Sequence, residues 1–147
     1  MTMTREALLA FMRAERYAVQ ASVSRSSAAQ AAVVGIAVSD AFEIVFDTLG
    51  DSRKATNVRM NPTVAFVIGG TRDGDERTVQ YEGVADIPSG DELIRVREIY
   101  FGVFPDGRDR LSWPGLIHVR VKPTWIRYSN FNSQPPLIVE FDAPQLR

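Results

Sequence analysis

Two apolar runs, PTVAFVIGG and RTVQYEGVADIP, are separated only by the six polar residues TRDGDE. A parallel crossover needs about a dozen residues or more, so this linker can only turn the chain back, and the two runs pair antiparallel. Short links recur along most of the chain. YAVQASVS alternates Tyr17, Val19, Ala21 and Val23 with Gln20, Ser22 and Ser24, the period of a half-buried strand. QAAVVGIAVS, Gln30 to Ser39, is apolar almost throughout. It reads as a central strand covered on both faces, with Gly35 letting something approach the backbone closely. FEIVFDT is a further strand, and LIHVRVKP and TWIRYSNF are two last ones meeting near Pro123. The tail NSQPPLIVEFDAPQLR has too many prolines for a central strand, so 133–147 is expected to lie extended over the surface.

Helix signals are few. Thr4 can cap a first helix with Leu8, Leu9, Phe11 and Met12 along one side. Ser52 (or Asp51) caps a second helix that Pro62 closes. Ser89 and Glu92 match a capping box for a third, from Gly90 to about Phe101, and FPDGRDRLSWPG follows as a long loop. These helices are too few and too unevenly placed for a doubly wound parallel sheet. The expected architecture is mainly β: a small antiparallel barrel with about three helices outside, forming one domain over 1–147.

Residue content narrows the chemistry. The chain has no cysteine and a single histidine, His118, which excludes disulfides, thiolate nucleophiles and multi-histidine or cysteine metal centres. A net charge of −1 offers no large basic surface for nucleic acid or anionic membrane. The charged start MTMTREALLAFMRAER is neither a signal peptide nor a membrane span, and a cytoplasmic protein is expected.

Within DTLGDSRKATNVRMNP one placement is unusual. Arg53 and Lys54 fall in the first turn of a helix, where the dipole already presents partial positive charge and each cation costs about 0.3–1 kcal/mol. An anion at the helix start resolves the conflict: free N–H groups, the Ser52 hydroxyl and two cations converge on one phosphate, with Thr48 able to add a hydroxyl. A solvated surface helix is the alternative. Gln30 to Gly35 can support a planar ligand, or simply pack as a strand. Gln80 shares a strand face with Thr78 and Glu82 and can meet a heterocycle edge. Trp113, Trp125 and Tyr128 suit a ligand stack, a subunit interface or the core. His118, between Ile117 and Val119, reads as structural. No nucleophile motif, P-loop or metal-spaced carboxylate cluster is present. A phosphate site without an acid/base constellation fits a cofactor that carries its own chemistry.

The order YAVQASVS, QAAVVGIAVS, EIVFDTLGDSRKATNVRMNPTVAFVIGG, RTVQYEGVAD, RVKPTWIRYSNF resembles the pyridoxamine 5′-phosphate oxidase-like, FMN-binding split-barrel family over roughly 8–131, with S-R-K-A-x-N-x-x-x-N-P its most specific part. The resemblance implies a six-stranded antiparallel split barrel, usually a homodimer, with FMN at the subunit interface. It places Ser52, Arg53 and Lys54 at the FMN phosphate and Asp47 and Thr48 near the ribityl and phosphate groups. The strand carrying Ala32, Val33, Val34 and Gly35 runs under the flavin ring, and Gln80 is a polar contact. Late-strand aromatics come from the second subunit. The implied activity is flavin-dependent oxidoreduction of a small molecule; flavin sequestration without turnover and a deazaflavin-dependent reductase are the alternatives. True pyridoxamine phosphate oxidases hold the substrate's phosphate with an Arg- and His-rich C-terminal segment. The tail here has none, so that compound is not the expected substrate.

Overall fold

A computed structural model describes residues 2–147. Three α-helices, α1 (Arg5–Ala14), α2 (Arg53–Met60) and α3 (Gly90–Val103), lie outside an eight-stranded sheet. The strands are β1 (Tyr17–Val23), β2 (Ala29–Gly35), β3 (Ala37–Val38), β4 (Ile44–Leu49), β5 (Thr63–Gly69), β6 (Arg77–Asp86), β7 (Leu116–Asn130) and β8 (Leu137–Asp142). Their order is β2-β1-β5-β6-β7-β4-β3 with β8 also on β7, every pairing is antiparallel, and the sheet curls into the expected split barrel. No helix is long and apolar enough to cross a membrane among the described residues.

The barrel interior is aromatic. Phe66 meets Tyr81 edge-on at 5.6 Å and Phe46 at 6.1 Å, and α1 adds Leu8 and Met12 to this core. Such pairs contribute about 0.5–1.5 kcal/mol beyond their area burial. A second, smaller core lies between α3 and the β3–β4 hairpin, from Ala37, Val45, Val96, Tyr100, Phe101 and Phe104. The Ser89–Glu92 box does not form: Ser89 makes no side-chain cap, and Glu92 pairs instead with Arg95 at 2.8 Å and Arg120 at 2.8 Å. Charge-assisted bonds to two guanidiniums outcompete a neutral backbone N–H.

Four strand-level expectations change. QAAVVGIAVS is not one central strand; it divides into β2 and β3, and β2 is a sheet edge on which only Val34 is buried. The apolar run reflects an uncovered face rather than two covered ones. In β1 the alternation is half-buried with the opposite polarity: Ala18, Gln20 and Ser22 point inward, while Tyr17 and Val19 are exposed. LIHVRVKP and TWIRYSNF are one fifteen-residue strand, β7, with a register shift opposite Glu82/Gly83 that accommodates Pro123. The tail folds back as β8, paired to β7 from Trp125↔Asp142 to Asn130↔Leu137, because its prolines flank the strand instead of interrupting it. The loop FPDGRDRLSWPG likewise contains a 3-10 helix, Pro105–Ser112.

Gly83 marks where β6 and β7 are closest. A Cβ there would meet the Lys122 carbonyl at 2.5 Å and Val121 at 2.7 Å, one of them backbone that cannot swing aside. Gly83→Ala is expected to destabilise the fold by about 2–3 kcal/mol, in the range of core overpacking. A urea midpoint unchanged from wild type would mean the bulge yields without cost.

Candidate functional site

The start of α2 is capped as the sequence predicts. Ser52 is the N-cap: its Oγ accepts from the Ala55 amide at 3.2 Å and from the Thr48 hydroxyl at 2.9 Å. With both of those bonds accepted, the Ser52 hydroxyl proton remains free to donate outward. The amides of Arg53 and Lys54 have no acceptor among the described residues, as expected for a first turn. Arg53 is exposed and Lys54 half-buried, and neither has a carboxylate within 4.0 Å among the described residues. No acidic residue occupies that turn.

What fastens α2 to the barrel is a residue that the sequence reading passed over. Asn57 is buried, and its Nδ2 donates to Ser22 Oγ and Gln30 Oε1, both at 3.0 Å. Ser22 on the inward face of β1 and Gln30 on β2 thus hold α2. The available signal was a weak helix former on the buried stripe between Ala55 and Val58.

The sheet carries a second feature on its outer face. Cross-strand register aligns Val33, Val19, Val67, Gln80, Arg127 and Glu140 in one row over β2, β1, β5, β6, β7 and β8. Val33 is 69% exposed and Val67 46%. Beside it runs a row of small residues, Ala31, Ala21 and Ala65, continuing to Glu82 and Trp125. The result is a shallow apolar platform about 14 Å from Val33 to Gln80, three strand spacings. A groove of about 460 Å³ continues it past Tyr17, Arg16 and Arg72.

The other sequence-predicted residues divide. Val33 and Gln80 share the outward row, with Ala32 half-buried and Val34 turned into the core. The notch at Gly35 is filled by the chain itself: the Phe104 ring lies 2.8 Å from where a Cβ would stand. Thr48 joins Ser52. Asp47, its neighbour on the opposite strand face, is engaged elsewhere: one carboxylate oxygen accepts from Tyr100 Oη at 3.1 Å and the other from Arg110 Nε at 2.8 Å. Asp47 therefore ties α3 and the 3-10 helix to β4. His118, its partner on β7, is 1% exposed, lies edge-on to Tyr100 and Phe101, and has no hydrogen-bond partner on either nitrogen. Burial lowers its pKa below 6.5, so its resting state is neutral. Trp125 lies on the outer face near Gln80, Trp113 is exposed, and Tyr128 is in the core. No group of three or more metal-ligating side chains occurs among the described residues.

The sequence model of the family described as "Pyridoxamine 5'-phosphate oxidase" matches residues 4–130. No curated protein matches the chain. Among solved structures, a heme binding protein from Mycobacterium smegmatis aligns with a TM-score of 0.79 at 14% identity, covering 94% of this chain and 58% of that one. The chain thus spans less than two thirds of that protein's length. A pyridoxamine 5'-phosphate oxidase-related, FMN binding protein from Nostoc punctiforme aligns at 0.67 and 13% identity, covering 86% and 80%. General Stress Protein 26 from Bacillus anthracis aligns at 0.69 and 22% identity, covering 93% and 98%. At these identities the likeness is one of fold.

Proposed function

Because the chain belongs to the pyridoxamine 5′-phosphate oxidase family, we propose that it binds FMN and acts as a cytoplasmic, homodimeric flavin-dependent oxidoreductase on a small molecule. The observation that carries this reading is the start of α2, where two cations with no carboxylate within 4.0 Å among the described residues stand beside two free amides and a free hydroxyl proton. That set fits a phosphate monoester. FMN, when bound, supplies the hydride and electron transfer. Ser52, Arg53, Lys54 and Thr48 hold its phosphate; the outward platform from Val33 to Gln80 offers the flat apolar surface and one amide that a heterocycle needs.

A heme would find no histidine ligand at the surface. The chain's one histidine is enclosed between β7 and α3, so it cannot serve as the axial ligand of a heme on the surface. A deazaflavin presents a phosphate and a similar tricyclic ring with carbon in place of N5, and its distinct absorption separates it. A sequestering role keeps the same site without turnover. It is supported by the engagement of Asp47 and His118 in packing, which takes these two groups out of acid/base work. The absorption spectrum of the protein as purified tests the cofactor: flavin bands support the reading, and a Soret band overturns it. Reduction of the bound flavin by NADH or NADPH with multiple turnovers separates enzyme from sequestering protein. Pyridoxamine 5′-phosphate is not the expected substrate. The tail carries no histidine and one arginine, Arg147, unlike the Arg- and His-rich segment of the true oxidases, and its β8 sets Glu140 3.5 Å from Arg127 of β7.

The dimer rests on the reversed polarity of β1. Tyr17, Val19, Val33 and Val67 form a contiguous apolar face that this chain leaves uncovered, and a second copy related by a two-fold axis is the simplest cover. Light scattering at micromolar concentration is expected to give twice the chain mass, and Val33→Glu to give the monomer with loss of flavin. A wild-type monomer that still binds flavin would remove the interface from the site.

A further inference from the structure

Asn57 is an odd residue for its place. It lies on the inward stripe of α2 with Ala55 and Val58, the other buried residues of that helix. Asparagine is a weak helix former, and burying its amide costs free energy unless it is hydrogen-bonded. Ser22 and Gln30 supply the partners. They are register partners on β1 and β2, so their side chains project from the same sheet face, and Asn57 Nδ2 donates to both at 3.0 Å.

Stability does not call for this arrangement. Val58 already packs in the barrel core, and an apolar side chain at 57 would extend that contact. Replacing both partners of a buried hydrogen bond by apolar groups can be neutral or stabilising. What an apolar contact lacks is direction, and a hydrogen bond supplies it.

α2 needs a fixed direction. Its eight residues are too few to be stable alone, and its start is held to β4 by the Thr48 hydroxyl on Ser52. A helix held at one end pivots. Among the described residues, α2 side chains donate to Gly50, Ser22 and Gln30, and only Asn57 reaches β1 and β2. Asn57 lies five residues beyond Ser52, about 7.5 Å along the axis at about 1.5 Å per residue. It stands away from the helix start and sets where that start points.

We propose that Asn57 is a positioning residue for the phosphate site. Its amide fixes the axis of α2, so that the Ser52 hydroxyl and the amides and side chains of Arg53 and Lys54 meet one phosphate. Charge-assisted hydrogen bonds are short and weaken when donor and acceptor are misaligned, so a pivoting helix loses the phosphate before it loses the fold. This role rests on the flavin reading and makes Asn57 a determinant of FMN over flavins without the phosphate.

Three variants test it against the wild type, by urea unfolding without ligand, by titration with FMN and riboflavin, and by ³¹P NMR of bound FMN. Ser22→Ala/Asn57→Leu replaces the bridge with apolar groups. Its urea midpoint is expected to equal or exceed that of the wild type. FMN should bind about tenfold or more weakly, the loss of one charge-assisted contact, with riboflavin unchanged. A phosphate monoester takes up a proton near about pH 6, and the cations hold the bound phosphate as the dianion to lower pH. In the double variant the ³¹P titration should move back toward that of free FMN. Val58→Ala, which removes core packing and spares the bridge, should do the opposite: a lower urea midpoint with the FMN preference intact. Ser22→Ala alone, the smallest change, deletes one of the two bonds and should lose a smaller share of the preference. A preference unchanged in both Ser22 variants, an equal loss for the two flavins, or an equal loss of preference in Val58→Ala would each overturn the positioning role. A wild type with no preference for FMN would overturn the flavin reading itself, and this role with it.

Discussion

Riboflavin is expected to bind roughly tenfold to a few hundredfold more weakly than FMN, although the two differ only by the phosphate. The start of α2 offers the Ser52 hydroxyl, two amides and the Arg53 and Lys54 side chains to that group. Charge-assisted hydrogen bonds contribute about 1.5–3 kcal/mol each, and about 1.4 kcal/mol is a decade in affinity. Arg53→Ala/Lys54→Ala should erase most of the preference and leave riboflavin affinity nearly intact. The same double variant should melt slightly higher without ligand, because the helix no longer carries cations against its dipole. Titration of both flavins into both proteins, with thermal melts of the ligand-free forms, reads all four quantities. Equal affinity of the wild type for FMN and riboflavin would make these cations plain surface charges.

Stability is expected to fall as the pH drops below about 6.5, by up to about 1.4 kcal/mol per pH unit from one residue. His118 is neutral in the fold because burial disfavours its charged form, with Arg97 and Arg110 acting in the same direction and Asp47 opposing. The unfolded chain binds this proton near pH 6.5 and the folded chain only at lower pH. The stabilisation is therefore complete above about 6.5 and declines as pH falls toward the folded value. His118→Leu should flatten the pH dependence between about 5 and 6.5, a window above most carboxylate titrations. It should also stabilise the protein at neutral pH by about 1 kcal/mol or more, because two buried nitrogens without partners are replaced by apolar surface. Urea midpoints across that range test this. A slope identical in wild type and variant would place the acid sensitivity in another group.

The cues that proved legible were local. Link length alone required antiparallel pairing, since six residues cannot make a crossover, and TRDGDE joins β5 to β6 as a hairpin. The cap at Ser52 or Asp51 and the stop at Asn61-Pro62 marked α2 to within a residue, because these signals act within one turn of chain. The conflict of Arg53 and Lys54 with the helix dipole is legible in the same way, because it lies inside a single turn; the anion proposed to resolve it awaits the flavin titration. Tertiary structure alone decided what depends on which element lies beside which. A period of two reveals that β1 has two faces but not which one turns inward, and the apolar face of Tyr17 and Val19 turned out. Asn57 became the anchor of α2 only when folding brought Ser22 and Gln30 to it from 35 and 27 residues away. Gly35 gives way to Phe104, and Asp47 is taken up by Tyr100 and Arg110, through contacts that no local pattern encodes, because the partners meet only after α3 packs on β4.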